Sequence, residues 1–502
     1  MVPSAAMPPQ RRDAVAMVAL VIALGAVTIA FGERIGVNYG QGWDGMSYTD
    51  WATAWWDRIM VAGTTQYQCQ RVLPSAIVHY GLRALGMVPS VGRVIVAFQV
   101  FDVAMLAFAA ALWARLGAAM GWRRAARWVG FVALFGCFAN ARHALYYPTL
   151  TDPAAFALGM VVAWAFLTDR PIALGVAAAL GAVTWPVLTP IALVLLVLPR
   201  PGVDGVDAVP ALEARWHRPV RWTALAIAAA ASAAFVAIGL HYRAHPAPGV
   251  GRFTTWVRGD LLWLTVPLLI ATIGAGTYVL LAQPRAWNVM GYLRRLAKPR
   301  LVAAIVAAIA IELARAWWIR RTGTRGPGFA TATFLDEHTQ AALLGPLWGP
   351  LYHVVYFGPL MIAVALRWRR IAELAAACGP GVVIALAMTL AFAVSSQSRQ
   401  WIHLLPLVVA LAIAATDEVW TTRRALGFTA LALVWAKLWL VIGYDVHVAH
   451  LEFPNQRYYM NLGPWASTAT YAAHLAAAAL TAAALVVLLR SPPSRAADGA
   501  GG

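Results

Sequence analysis

The sequence predicts an all-α polytopic membrane protein, and three observations predict it. Hydrophobic residues make up 61% of the 502-residue chain and charged residues only 12%, with a mean hydropathy of +0.67, far from the composition of a soluble domain. The apolar residues gather in long runs that suit helices crossing about 30 Å of hydrocarbon. Most of the arginines lie in clusters between those runs, as the charge bias of inner loops requires.

In chain order, runs at 13–31, 92–118, 126–140, 153–168, 222–240, 261–282, 300–319, 350–366, 379–395, 401–416, 425–444 and 470–489 give about twelve candidate transmembrane helices. The first follows Arg11 and Arg12 without a small-x-small cleavage signal, so it reads as a retained signal-anchor span. The stretch 171–199 is also apolar but is broken by Thr184-Trp185-Pro186 and by Pro190. Proline removes a backbone donor, and such a break is tolerated at membrane depth only where protein or water satisfies the freed groups. The stretch is either one kinked span or a re-entrant hairpin of two half-length helices.

Basic residues arbitrate. The clusters Arg11-Arg12, Arg123-Arg124 with Arg127, Arg200 with Arg215, Arg218 and Arg221, Arg285 through Arg300, Arg367 with Arg369-Arg370, and Arg423-Arg424 all fall on one side on two conditions. Both termini are cytoplasmic, and 171–199 enters and leaves by the same face. A single crossing there would invert every later loop. Residues 1–489 then form one transmembrane helical domain with outer loops at 32–91, 141–152, 241–260, 320–349, 396–400 and 445–469, and 490–502 form a flexible cytoplasmic tail. The chain is expected in the cytoplasmic membrane with its chemistry on the outer side.

The net charge of +18 is mainly this topological device. The arginines form no continuous basic helix and no nucleic-acid motif, so nucleic acid is excluded as a partner and anionic membrane lipids are expected as one. Cys69, Cys137 and Cys378 show no CxxC spacing and indicate neither a disulfide framework nor a thiolate metal site.

The outer loops carry the chemistry. The first opens with Gly42-Trp43-Asp44-Gly45-Met46-Ser47-Tyr48, continues through Asp50, Trp51, Trp55, Trp56 and Asp57, and reaches Arg71-Val72-Leu73-Pro74. Tyr48 to Met60 and Leu73 to Leu85 are candidate interfacial amphipathic helices, with tryptophans in the headgroup zone. The second loop runs from Arg142-His143 to Asp152-Pro153, where Asp152 suits an N-cap with proline behind it and still faces the outer vestibule. Later loops hold His241, Tyr242, Arg243 and His245; Asp336, Glu337 and His338; Ser396, Arg399 and Gln400; and Asp445, His447, Arg457, Tyr458 and Tyr459. Inside or at the edge of spans stand Asp102, Glu312, Arg315 and Lys437, of which Glu312 and Arg315 share a helical face and can pair.

With Trp43-Asp44-Gly45 and Tyr48, then Arg71-Val72-Leu73-Pro74, Asp152-Pro153, and Arg399 with Pro406, the chain resembles the large integral-membrane glycosyltransferases of the GT-C fold class. The resemblance implies a GT-C-like fold and a polyprenyl-phosphate-linked sugar as donor. It also implies that Arg399 approaches the lipid phosphate. Two positions depart from the pattern: Asp44 is followed by Gly45 instead of a second acid, and Gln397-Ser398 stand where a glutamate is usual. Both departures put metal dependence in doubt.

The residues carry the same argument on chemical grounds. Sugar transfer needs a base for the acceptor hydroxyl and positive charge for the departing phosphate. Asp44 and Asp152 are the candidate catalytic carboxylates. Trp43, Tyr48, Arg71, His143, His338, Arg399, Arg457 and Tyr458 are the candidate substrate-binding residues. Asp44 is the preferred base, Arg399 the preferred phosphate clamp through two parallel guanidinium bonds, and Arg457 with Tyr458 the reserve. A single base favours inversion at the anomeric carbon. The acceptor is a glycan, a lipid or a protein. No cofactor is assigned, and a divalent metal stays open without a clear ligand cluster. The competing readings are a lipid or polysaccharide transporter, a non-sugar membrane transferase, and an assembly subunit without chemistry.

Overall fold

The structure, a computed structural model, describes residues 9–200, 209–247, 258–296, 298–328, 331–440 and 468–490. Among them every regular element is helical and no strand occurs. In order the helices are α1 (Pro9–Phe31), α2 (Asp44–Thr53), α3 (Leu73–Ala84), α4 (Val91–Ala119), α5 (Arg124–Phe135), α6 (Ala144–Tyr146) and α7 (Asp152–Leu167). They continue with α8 (Pro171–Gly181), α9 (Leu188–Val197), α10 (Ala214–Ala244), α11 (Leu262–Leu281), α12 (Val289–Leu293), α13 (Lys298–Thr322) and α14 (Thr331–Leu343). The last are α15 (Trp348–Phe357), α16 (Leu360–Leu366), α17 (Trp368–Cys378), α18 (Pro380–Ala393), α19 (Leu405–Thr416), α20 (Thr422–Ala436) and α21 (Thr468–Leu488).

The chain is a multi-pass membrane protein, but the expectation of about twelve spans is overturned. Among the described residues six helices are long and apolar enough to cross: α1, α4, α10, α11 with the turn before it, α13 and α21. The other apolar runs are cut short by identifiable breakers. The run 350–366 divides at Gly358, whose φ is +79°, followed by Pro359. The run 126–140 stops at Phe135 and gives way to a π-helical turn over Ala139–His143, and 425–444 loses its helix at Lys437, whose φ is +52°. α19 has 12 residues, about 18 Å at 1.5 Å per residue, and α7 has 16, about 24 Å, against about 30 Å of hydrocarbon. Hydropathy marks a run as apolar whether it meets lipid or protein. α7 and α19 are buried on almost every face.

The broken stretch 171–199 is two helices that turn back on each other. Gly181 lies against Leu188 and Thr189, Thr189 donates to the Ala178 carbonyl at 3.3 Å, and Gly175 lies near Leu196. That pairing is antiparallel. Each arm spans only about 15 Å at 1.5 Å per residue, from 11 and 10 residues. The turn between them, Thr184-Trp185-Pro186, is enclosed by protein at Thr184 and Trp185, where Trp185 donates to His403 Nδ1 at 3.1 Å and Leu73 N donates to the Val183 carbonyl at 2.9 Å.

α7 serves as a ruler between the two ends of the molecule. Its last residue, Leu167, accepts from Arg200 at 3.1 Å, and Asp169 just beyond pairs with Arg300. The basic linkers meet in the same way elsewhere: Asp13 holds Arg124 at 2.8 Å and Arg127 at 3.3 Å, Asp417 accepts from Arg123 N at 2.8 Å, and Arg367 reaches the Leu489 carbonyl. At the opposite end, the first turn of α7 carries Asp152. Glu312 and Arg315 pair at 2.7 Å on α13, as their spacing predicts. In the loop at 32–91 α2 stops at Thr53. Trp51 and Trp55 are buried in protein, which corrects the interfacial role expected for them, while Trp56 is exposed.

Candidate functional site

The loops at 32–91 and 141–152 are stitched together before any functional side chain is placed. Ile35 N donates to the Tyr146 carbonyl at 2.9 Å, Thr149 Oγ1 donates to the Gln41 carbonyl at 3.0 Å, and Gly45 N donates to the Tyr147 hydroxyl at 3.0 Å. Two glycines permit this approach. Gly42 has φ +66°, and a Cβ on it would run into the Tyr147 ring, while a Cβ on Gly45 would run into the Thr149 side chain. Trp43 then packs edge-on against Tyr147 with centroids 6.2 Å apart.

Asp44 and Asp152, separated by 108 positions in sequence, come to the same guanidinium. Arg399 lies in the short turn Ser398–Trp401 and donates Nε to Asp152 Oδ1 at 2.8 Å and Nη2 to Asp152 Oδ2 at 2.9 Å. Its remaining nitrogen, Nη1, stands 3.8 Å from Asp44 Oδ2. The side chains of Asp152 and Arg399 are 3% and 13% exposed, whereas that of Asp44 is 58% exposed. The two carboxylates therefore differ in freedom. Asp152 is committed to a fork-to-fork pair beneath the surface, and Asp44 presents its oxygens outward beside residual positive charge.

Arg71, Tyr48 and Trp185 form the adjoining wall. Arg71 is 3% exposed, with its guanidinium 4.7 Å from the Tyr67 ring centroid and 4.4 Å from that of Trp185. Tyr48 lies beside Arg71, and burial pushes its phenol up to about 12. Burial works against the charge on Arg71, but the faces of Tyr67 and Trp185 and the nearby Tyr48 and Asp44 outweigh it and keep the guanidinium protonated.

His143 comes from the π-helical turn that ends the broken fifth helix. Its Nδ1 accepts from the Tyr356 hydroxyl at 3.0 Å. Burial first, then the nearby Arg399 charge, push its pKa down to about 3. It serves as a neutral hydrogen-bonding ring, not as a cation. Its neighbour Arg142 bridges Glu33 and the Lys437 carbonyl and pins the loop.

The site gathers Trp43, Asp44, Tyr48, Arg71, His143, Asp152 and Arg399 from the sequence-derived set. His338 stands apart: its Nδ1 contacts the Phe334 carbonyl at 2.9 Å and its ring packs on Phe334 and Phe392. Arg457 and Tyr458 lie outside the described residues. The expected free phosphate clamp is corrected in one respect, because both parallel bonds of Arg399 are already made to Asp152. Tyr147, Tyr356 and Trp185 were missed. Trp185 could have been found, since it sits in the break that marked 171–199 as unusual. Tyr356 could not, because it reads as one more apolar position in a helix. Among the described residues no group of three or more His, Cys, Asp or Glu side chains is gathered closely enough to hold a metal ion. No protein-family model, curated protein or solved structure matches the chain.

Proposed function

We propose that the protein is a membrane glycosyltransferase that moves a sugar from a polyprenyl-phosphate donor to an acceptor hydroxyl at the outer face of the cytoplasmic membrane. The observation that carries the reading is the exposed Asp44 carboxylate 3.8 Å from the guanidinium of Arg399, which is itself locked from below by Asp152. A base beside a fixed positive field is what displacement of a phosphate-linked sugar needs: the carboxylate takes the hydroxyl proton as the acceptor oxygen attacks, and the cation offsets charge gathering on the leaving phosphate. Arg71 adds a second permanent cation in the same wall. Aromatic edges at Trp43, Tyr147 and Trp185 suit the apolar faces of a sugar. With Asp44 as sole base, transfer inverts the anomeric carbon. The basic linkers at the opposite end support a cytoplasmic placement for both termini. The acceptor is a glycan, a lipid or a protein.

The deciding experiment is transfer from radiolabelled polyprenyl-phosphate sugars by the reconstituted full-length chain, wild type against Asp44→Asn. The reading requires label in product from wild type and a near-complete loss in the variant. Normal transfer by a folded Asp44→Asn protein would refute it. Cysteine accessibility of Trp216→Cys in intact cells tests the topology, which external labelling would overturn.

A further inference from the structure

Glu337 has no part in the arrangement above, yet the fold brings it to the turn that carries Arg399. α14 is anchored on its other faces: Asp336 accepts from Ala247 N at 2.7 Å, Gln340 donates to the Gly239 carbonyl at 2.7 Å, and His338 packs between Phe334 and Phe392. Glu337, half-buried, is left facing the turn between α18 and α19, where Gln397 Nε2 approaches its Oε2 at 3.5 Å. Two residues on, Arg399 stands beside Asp44. One short turn thus carries the neighbours of both carboxylates. Burial, then the charge of Asp336, then that of Asp44 hold the Glu337 proton up to about 7.

We infer that Glu337 is the proton-accepting partner of Asp44 and passes the proton of the acceptor hydroxyl on to solvent. The inference rests on the glycosyl-transfer reading. In the step itself the acceptor O–H bond breaks and its proton goes to Asp44. The acceptor oxygen bonds the anomeric carbon, and the bond from that carbon to the phosphate oxygen breaks with its electron pair left on the phosphate. Asp44 is then a neutral acid and must lose its proton before the next turnover. An ionised Glu337 takes it and releases it to water, restoring the Asp44 carboxylate. A group that titrates near the working pH is suited to that hand-off.

The charged and titratable groups around Glu337 are Asp336 and His338 on its own helix, Asp44 on α2, and Arg399 two residues beyond Gln397. The faces that α10, α11 and α15 present to α14 are apolar around Val236, Leu269 and Trp348, and Arg243 near the end of α10 lies by Gly259. Glu337 acts through Asp44, so it is a positioning residue, and pH dependence is the readout that separates this role from simple packing.

Two measurements on the full-length chain test it. In the first, a hydrophobic carbodiimide labels protonated carboxyls and labelled peptides are located by mass. Glu337 labelling in wild type should fall through a midpoint near pH 7, as its pKa of about 7 implies, and Asp44→Asn, which removes a neighbouring negative charge, should move the midpoint to lower pH. An unchanged midpoint overturns the coupling, whatever the enzyme's substrate is. In the second, the transfer rate is followed against pH. Wild type should lose rate as pH falls through about 7, Glu337→Gln should be slowed about tenfold or more at high pH with that acidic limb abolished, and Glu337→Asp should restore both. If wild type transfers sugar, Asp44→Asn does not, and Glu337→Gln matches wild type in rate and profile, the role of Glu337 falls while the glycosyltransferase reading stands. If wild type transfers no sugar, the functional reading falls and the labelling result alone decides the coupling.

Discussion

The first turns of α2 and α7 begin alike and end differently. Each opens with an aspartate after an aromatic-rich loop, and both aspartates reach Arg399. The Asp152 side chain is 3% exposed and fully engaged by two guanidinium bonds, while that of Asp44 is 58% exposed with a nearest approach of 3.8 Å. The difference teaches that one guanidinium can serve two carboxylates in different capacities. One partner fixes it, and the other is left with lone pairs to offer a substrate.

The comparison breaks most visibly at Asp44. Asp44→Asn should leave the thermal unfolding temperature in detergent within a degree or two, since an exposed contact at 3.8 Å contributes little. Sugar transfer should fall by about two to four orders of magnitude. A variant that unfolds but transfers normally when folded would reverse the proposed division of labour.

Asp152→Ala should do the opposite. Removing one member of a buried pair strands the other charge, which costs about 3–5 kcal/mol, so the unfolding temperature should drop sharply. The double variant Asp152→Ala with Arg399→Met should regain part of that loss while remaining inactive. No gain in the double variant would show that the pair does not couple.

A pH series sharpens the contrast on the Asp44 side. Glu337 holds its proton to about 7 in the folded chain against 4.5 as the ordinary value, so between those values the folded state carries the extra proton. Stability contributed by this group should fall as pH rises from about 4.5 to about 7 and level off above. Unfolding temperature measured across that window should show the slope in wild type and lose it in Glu337→Gln. An identical slope in both would assign it elsewhere.

The smallest effect lies at the orienting hydrogen bond beneath the pair. Tyr356→Phe removes the donor to His143 Nδ1 and should cost about 1 kcal/mol of stability, with transfer reduced severalfold or less. A loss as large as that of Asp44→Asn would mean that His143 touches substrate directly.

Much of this site was legible in the sequence. Asp44, Asp152 and Arg399 were brought together by charge placement and by the break at 171–199, because both rest on residue composition that lipid reads directly. The helical hairpin was legible for the same reason, since Pro186 and Pro190 interrupt an apolar run. The span count was not, because a run such as 401–416 is equally apolar whether it faces lipid or, as α19 does, protein on nearly every side. Nor was the choice between Glu337 and His338. Adjacent residues on a helix point about 100° apart, and only the packing of α14 against α10, α11 and α15 decides which one reaches Gln397.

The sequence by itself determined a multi-pass helical membrane protein with aromatic and acidic residues gathered in some loops and positive charge in others. Those are properties of single residues and their order along the chain, which transfer free energies sum independently of any fold. The tertiary structure alone decided that Asp152 holds Arg399, that Asp44 stays open, that Trp185 reaches Arg71 from the hairpin, and that Glu337 meets Gln397. Each of these is a contact between segments far apart in the chain, fixed by which side chains can approach within a few ångströms once the helices have packed.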